Sequence, residues 1–180
     1  MAKVKGSMFV MFVKAIKADK TGAYDSLLTD QDKEIISKLI LQSSWYPFET
    51  YKNCFNAVSK VNAKNDPKTL RDWGRMAGES TMSNIYKTVV NQKDAASAIR
   101  AFKQVLGSMY DFGDIEEEMV SDNEMIIKIR DVDPDFEAWY RVCQGWVERT
   151  IELVIKKKVT SEILECSWEG APATVYKMSW

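Results

Sequence analysis

The spacing of apolar residues changes once along this 180-residue chain, and that change constrains the architecture more than any other feature. Up to Tyr110, apolar side chains recur every three or four positions, the period of a helix burying one face. Lys5 to Ala18 places Met8, Phe9, Phe12, Val13 and Ile16 on one such face. Thr29, followed by Asp30 and Asp32, marks a second helix start, with acidic groups near the positive end of the dipole. Leu39-Ile40-Leu41 is expected at the end of that helix. Pro47 is expected as the first residue of a third helix carrying Phe48, Tyr51, Phe55, Val58 and Val61. Asp66-Pro67 opens another, with Leu70, Trp73, Met76 and Ala77 on one side. Ile85, Tyr86 and Val89 suggest a short helix. Ala95 to Tyr110 follows, with Ala98, Ile99, Phe102, Val105, Leu106 and Met109 as its stripe.

After Gly113 the period becomes two. Ile115–Val120 and Glu124–Arg130 read as strands turning at Ser121-Asp122-Asn123, with Met125, Ile127 and Ile129 on one face. Asp133-Pro134 is expected to start a long helix reaching Lys156, with Phe136, Trp139, Tyr140, Cys143, Trp146, Val147, Thr150 and Val154 buried. Glu137 with Arg141 and Glu152 with Lys156 are spaced for ion pairs along it. Two more strands flank Glu169-Gly170-Ala171-Pro172, with Leu164, Cys166 and Trp168 facing Tyr176, Met178 and Trp180. Helices followed by strand–strand–helix–strand–strand indicate an α+β fold. The expectation is one domain over 1–180: a helical part at 1–112, then a β-β-α-β-β part at 113–180. The last helix has to pack on its four-stranded antiparallel sheet.

Composition enters chiefly through exclusion. The chain has no histidine. That removes Ser-His-Asp and Cys-His catalysis, two-His zinc sites, a proximal-His haem and an imidazole pH switch. A net charge of -1 argues against a general grip on nucleic acid. Residues 1–90 carry 14 basic and 9 acidic groups, and residues 91–180 carry 11 and 17, a split that reads first as ordinary solvated surface and second as able to orient a head-to-tail partner contact. Cys54, Cys143 and Cys166 are odd in number and widely spaced, which fits free thiols in a reducing cytoplasm. The apolar run Ser7–Ile16 is too short to span a bilayer and lacks a signal-peptide cleavage pattern.

The chemical motifs are sparse. Gly74 and Gly78 lie within a helical pattern and read as a close helix contact, without the features of a phosphate loop. Glu116-Glu117-Glu118 reads as a charged sheet edge that discourages pairing. Asp131, Asp133 and Asp135 could surround a cation, but Asp133 is also placed to cap a helix. Glu162, Glu165 and Cys166 fall short of a closed zinc site. The aromatic residues are the remaining signal: core, a dimer surface, or an apolar pocket. The pocket candidates are Trp45, Tyr51, Trp73, Phe102, Trp139, Cys143 and Trp146.

Four places carry a family resemblance. They are Val4-Lys5-Gly6; Trp45-Tyr46-Pro47 with Tyr51; Met125–Arg130 leading through Asp131-Val132-Asp133-Pro134 to Gly145-Trp146; and the closing Glu165-Cys166-Ser167-Trp168 and Tyr176-Lys177-Met178-Ser179-Trp180. In these the chain resembles the haem-nitric-oxide-binding (H-NOX) domains and their relatives, the vinyl-reductase-type ligand sensors and the TRAPP tethering subunits. It is most similar to bacterial, myxobacterial-type members without an assigned role. Haem-binding members use a proximal histidine and a Tyr-x-Ser-x-Arg propionate clamp. Here the corresponding stretch reads Lys128-Ile129-Arg130-Asp131-Val132. Zinc-containing relatives use a Glu and several Cys near the last hairpin, where only Cys166 stands. The resemblance therefore implies the scaffold without its standard cofactor. The expected function is a non-enzymatic sensory or regulatory module, cytoplasmic and haem-free, binding a small apolar ligand or a protein partner. The alternative is a homodimeric interaction or assembly subunit with no ligand.

Overall fold

A computed structural model of the chain describes residues 2–84 and 87–180, and the side chains of all of these except 83, 84, 87 and 88. The chain forms two compact units, Met1–Asp66 with Gly107–Phe112, and Pro67–Leu106 with Gly113–Trp180.

In the first unit, β1 (Lys3–Lys5) pairs antiparallel with β2 (Trp45–Pro47). α1 (Gly6–Ala18) packs on α3 (Phe48–Ala63), burying Phe9, Val13, Tyr51 and Phe55. α2 (Asp30–Ser37) begins where Thr29 and Asp32 cap it reciprocally: the Asp32 N–H donates to Thr29 Oγ1 at 3.1 Å and the Thr29 N–H to Asp32 Oδ2 at 3.0 Å. Two expectations are corrected here. Leu39-Ile40-Leu41 lies outside the helix, which ends at Ser37. Ile40 is buried, while Leu39 is 80% and Leu41 53% exposed. Pro47 closes β2 opposite Lys3, and α3 starts one residue later at Phe48. A strand end suits a residue with no N–H to donate.

The second unit holds α4 (Pro67–Asn84), α5 (Lys87–Val90), α6 (Ala95–Met109) to Leu106, and the remaining strands and helix. Pro67 opens α4 as expected, but Met76 is 70% exposed, so the inner face of α4 differs from the apolar stripe read from sequence. Ile85 and Tyr86 lie outside the described residues. Every residue of the stripe expected for α6 is buried.

The sheet comprises β3 (Asp114–Ser121), β4 (Glu124–Arg130), β5 (Thr160–Glu165) and β6 (Thr174–Ser179), in the antiparallel order β3-β4-β6-β5. Met125, Ile127 and Ile129 form the buried face of β4. The register running from Thr160 opposite Ser179 puts Ile163 opposite Tyr176, and Leu164 lies at a bulge before Glu165, 48% exposed, against the expected pairing.

α7 (Glu137–Ile155) starts later than Pro134, because Asp133 Oδ1 accepts the Asp135 N–H at 2.9 Å and forms a turn before the helix. It packs on β5 and β6 as expected: Tyr176 Oη donates to the Tyr140 carbonyl at 2.8 Å. The resulting fold is α+β.

Candidate functional site

Within the second unit, α4 and α7 cross with their backbones almost touching. A Cβ on Gly74 would fall 1.9 Å from the Val142 carbonyl oxygen, and one on Gly145 would fall 1.9 Å from the Arg71 carbonyl oxygen. A Cβ on Gly78 would fall 2.9 Å from Trp146 Cδ1. The close contact expected of Gly74 and Gly78 is therefore present, and its partner is α7.

That approach brings the arginines beside the glycines onto the carboxylates of α7. Arg71 reaches Glu148 at 2.6 Å, and Arg75 bridges Glu148 and Glu152, the latter at 2.8 Å. Arg149 joins Glu152 at 2.7 Å and also pairs with Glu79. Ser161 on β5 donates to Glu148 at 2.8 Å and accepts from Gln144 at 2.9 Å, while the Val159 N–H donates to Glu152 at 3.2 Å. Glu148 and Glu152 are buried, and the three arginines are about one-third exposed.

Burial alone would raise the Glu152 carboxyl, but hydrogen bonds from Arg149, Arg75 and Val159 outweigh it and hold it below its ordinary value. Arg149 is raised mainly by its bond to Glu152. Glu152 is thus committed to this network, and its expected pairing with Lys156 is replaced. The Glu137–Arg141 pair forms at 3.1 Å. The network locks α4, α7 and β5 together. It was missed in the sequence, although glycines beside Arg71 and Arg75, matched by Glu148 and Glu152 at the same four-residue spacing, are a readable signal.

The pocket candidates divide between the units. In the first, Trp45 is 41% exposed with the Lys5 ammonium 4.5 Å from its ring centre. Tyr51 is buried and shares a 3.1 Å hydrogen bond with Tyr110. In the second, Trp73 is half-buried, while Phe102, Trp139, Cys143 and Trp146 are buried. Phe102 meets Trp146 edge-on at 5.2 Å, and Trp139 meets Tyr140 edge-on at 5.5 Å. The Trp146 indole Nε1–H is buried with no acceptor among the described residues. Among those residues no cluster of three or more His, Cys, Asp or Glu is arranged to hold a metal, and no helix is long and apolar enough to cross a membrane.

This arrangement, a helical segment leading into a four-stranded antiparallel sheet crossed by one long helix, is the H-NOX fold. Solved structures of that fold superpose over nearly the whole chain. The Fe(II) unliganded H-NOX protein of K. algicida matches with a TM-score of 0.64 at 12% identity, covering 97% of this chain and 95% of that one. The S. oneidensis H-NOX protein in its Fe(II)NO state matches at 0.66 and 10%, covering 97% and 98%. An oxygen-binding H-NOX domain related to soluble guanylate cyclases matches at 0.62 and 14%, covering 97% and 94%. No protein-family model matches the chain, and no curated protein does.

The buried thiols of Cys54 and Cys143 and the hydroxyls of Tyr140 and Tyr176 do not suit the role of a haem ligand. Proteins hold haem iron through His, Cys thiolate, Tyr or Met with His, and this chain has no histidine. Burial pushes Cys143 up to about 12; burial, with Asp32 adding, does the same to Cys54, so both stay neutral thiols. Burial also raises Tyr140 and Tyr176, and their hydroxyls are spent on backbone carbonyls. Arg130 is paired with Glu116 at 2.6 Å.

Proposed function

We propose that this chain is a haem-free sensory or regulatory module that uses an H-NOX scaffold to bind a small, largely apolar ligand. In this reading it acts in the cytoplasm as one domain and is not an enzyme. The observation that carries it is the indole N–H of Trp146. Leaving a buried donor unpaired costs about 1–3 kcal/mol, and this one belongs to a ring that meets Phe102 edge-on. The matching ligand is an apolar body bearing one hydrogen-bond acceptor. Phe102, Trp139, Cys143 and Trp146 are the contacts expected in the second unit, with Trp73 at their margin; Tyr51 and Trp45 are candidates in the first.

Native mass spectrometry of the purified protein tests this. A bound small-molecule mass is expected, and Trp146→Phe, which keeps the bulk and removes the donor, is expected to lose it. A clean chain mass for the unsubstituted protein, unchanged after incubation with a cell lipid extract, counts against ligand binding. Incubation with haemin is expected to give no sharp Soret band; a sharp band from ligated iron would overturn the haem-free reading.

A second reading, an assembly or homodimer subunit, is favoured by exposed Leu39, Leu41 and Trp45 lying close in sequence on the first unit. Sedimentation velocity separates the two: a monomer at every concentration removes the homodimer.

A further inference from the structure

The C-terminal end of α7 borders an open groove of about 640 Å³, lined by Arg75, Arg149, Glu152, Lys156, Lys157 and Lys158. We propose that this groove binds a compact polyphosphate, two or more linked phosphates on a small molecule, at a site independent of the Trp146 region. Glu152 is the one carboxylate in the lining, and it is already bonded to Arg75, Arg149 and the Val159 N–H. The carboxylate bonds also hold the two guanidinium groups in place, and each keeps N–H donors beyond those its partners use. The paired edges of both guanidinium groups are taken by Glu148, Glu152 and Glu79, so each offers a phosphate the single N–H donors left over.

The lysines supply the excess charge. Lys156, Lys157 and Lys158 have no ion-pair partner among the described residues, in a chain that carries 26 acidic groups. A cation at a helix C-terminus complements the dipole, which accounts for Lys156 at the cap. That effect fades within the last turn, and Lys157 and Lys158 lie beyond it. The anchor from Val159 to Glu152 returns the chain so that these two lysines border the same concavity as the arginines.

The volume suits a small molecule. No aromatic side chain lines the groove for base stacking, and Leu153 is its single apolar member, so neither a nucleic-acid strand nor a membrane surface fits as well.

Isothermal titration at low salt with inorganic tripolyphosphate and with adenosine triphosphate tests the proposal. Binding of either supports it; equal affinities place recognition in the phosphates alone, and preference for the nucleotide adds a contact to the base or sugar. Lys157→Ala/Lys158→Ala is expected to weaken binding about tenfold or more, the loss of a charge-assisted contact. Lys20→Ala/Lys33→Ala, on the first unit, is expected to leave it unchanged. Both pairs alter exposed side chains, and unchanged melting temperatures confirm folding. No binding of either probe, equal loss in both double variants, or tighter binding to a single-stranded 20-mer DNA or to anionic vesicles overturns it.

Discussion

Gly74 and Gly145 face each other's helices so closely that a methyl on either would meet a backbone carbonyl oxygen at 1.9 Å. Backbone cannot swing aside as a flexible side chain does. Gly74→Ala and Gly145→Ala are each expected to destabilise the protein by about 3 kcal/mol or more, because forcing packed helices apart outweighs the roughly 1 kcal/mol gained in helix propensity. Gly107, on α6, has nothing within 4 Å of the corresponding position. Gly107→Ala is therefore expected to stabilise by about 0.5 kcal/mol. Urea unfolding of the three variants checks the contrast; equal effects would remove the account of the crossing.

Removing Glu148 leaves Arg71 and Arg75 facing each other without their shared carboxylate. Breaking a buried pair costs about 3–5 kcal/mol when both charges are sealed off. Here the arginines keep partial access to water, so Glu148→Ala is expected to cost about 2–3 kcal/mol, measured as a lower denaturation midpoint. Ser161→Ala, which removes one neutral donor to the same carboxylate, is expected to cost about 1 kcal/mol. A Glu148→Ala protein as stable as the parent would show that the network is not a lock.

The carboxyl of Glu152 is held below its ordinary value of 4.5. A carboxyl with a depressed folded-state pKa contributes its stability in full above the unfolded value and loses it as pH falls through the folded one. The stability gap between the parent and Glu152→Gln is expected to be constant near neutrality and to shrink below pH 4.5. Urea midpoints taken from pH 7 to pH 3 measure that gap, and one independent of pH contradicts the assignment.

Thiol reactivity separates the cysteines. Cys54 and Cys143 are buried, with thiols pushed up to about 12. At pH 8 such a thiol is about one part in ten thousand thiolate, by its distance from a pKa of 12. Cys166 is only half-buried and is raised less, by burial first and then by Glu169. Ellman's reagent is expected to modify Cys166 in the native protein and all three thiols after unfolding. Equal native reactivity would contradict the burial of Cys54 and Cys143.

The alternation of Met125, Ile127 and Ile129 and the stripe of α6 were legible in the sequence because period alone decides which side chains share a face. The α+β class followed from the single change of period, and the lack of a haem-ligating imidazole from composition. Boundaries set by local hydrogen bonding were less legible: Asp133 builds a turn before α7, where an Asp-Pro pair reads as a helix start. The inner face of α4 was legible only in part: Leu70 is buried and Gly74 and Gly78 make the close contact read from them, but Met76 is exposed and Arg71 and Arg75 join the contact with α7.

Tertiary structure alone decided that Arg75 meets Glu148, 73 residues away, that Glu152 turns from Lys156 to Arg75 and Arg149, and that three lysines border one groove with them. A charge has no period that names its partner. Its partner is whichever opposite charge the packing of backbone brings within reach, and here that packing depends on two glycines in different helices.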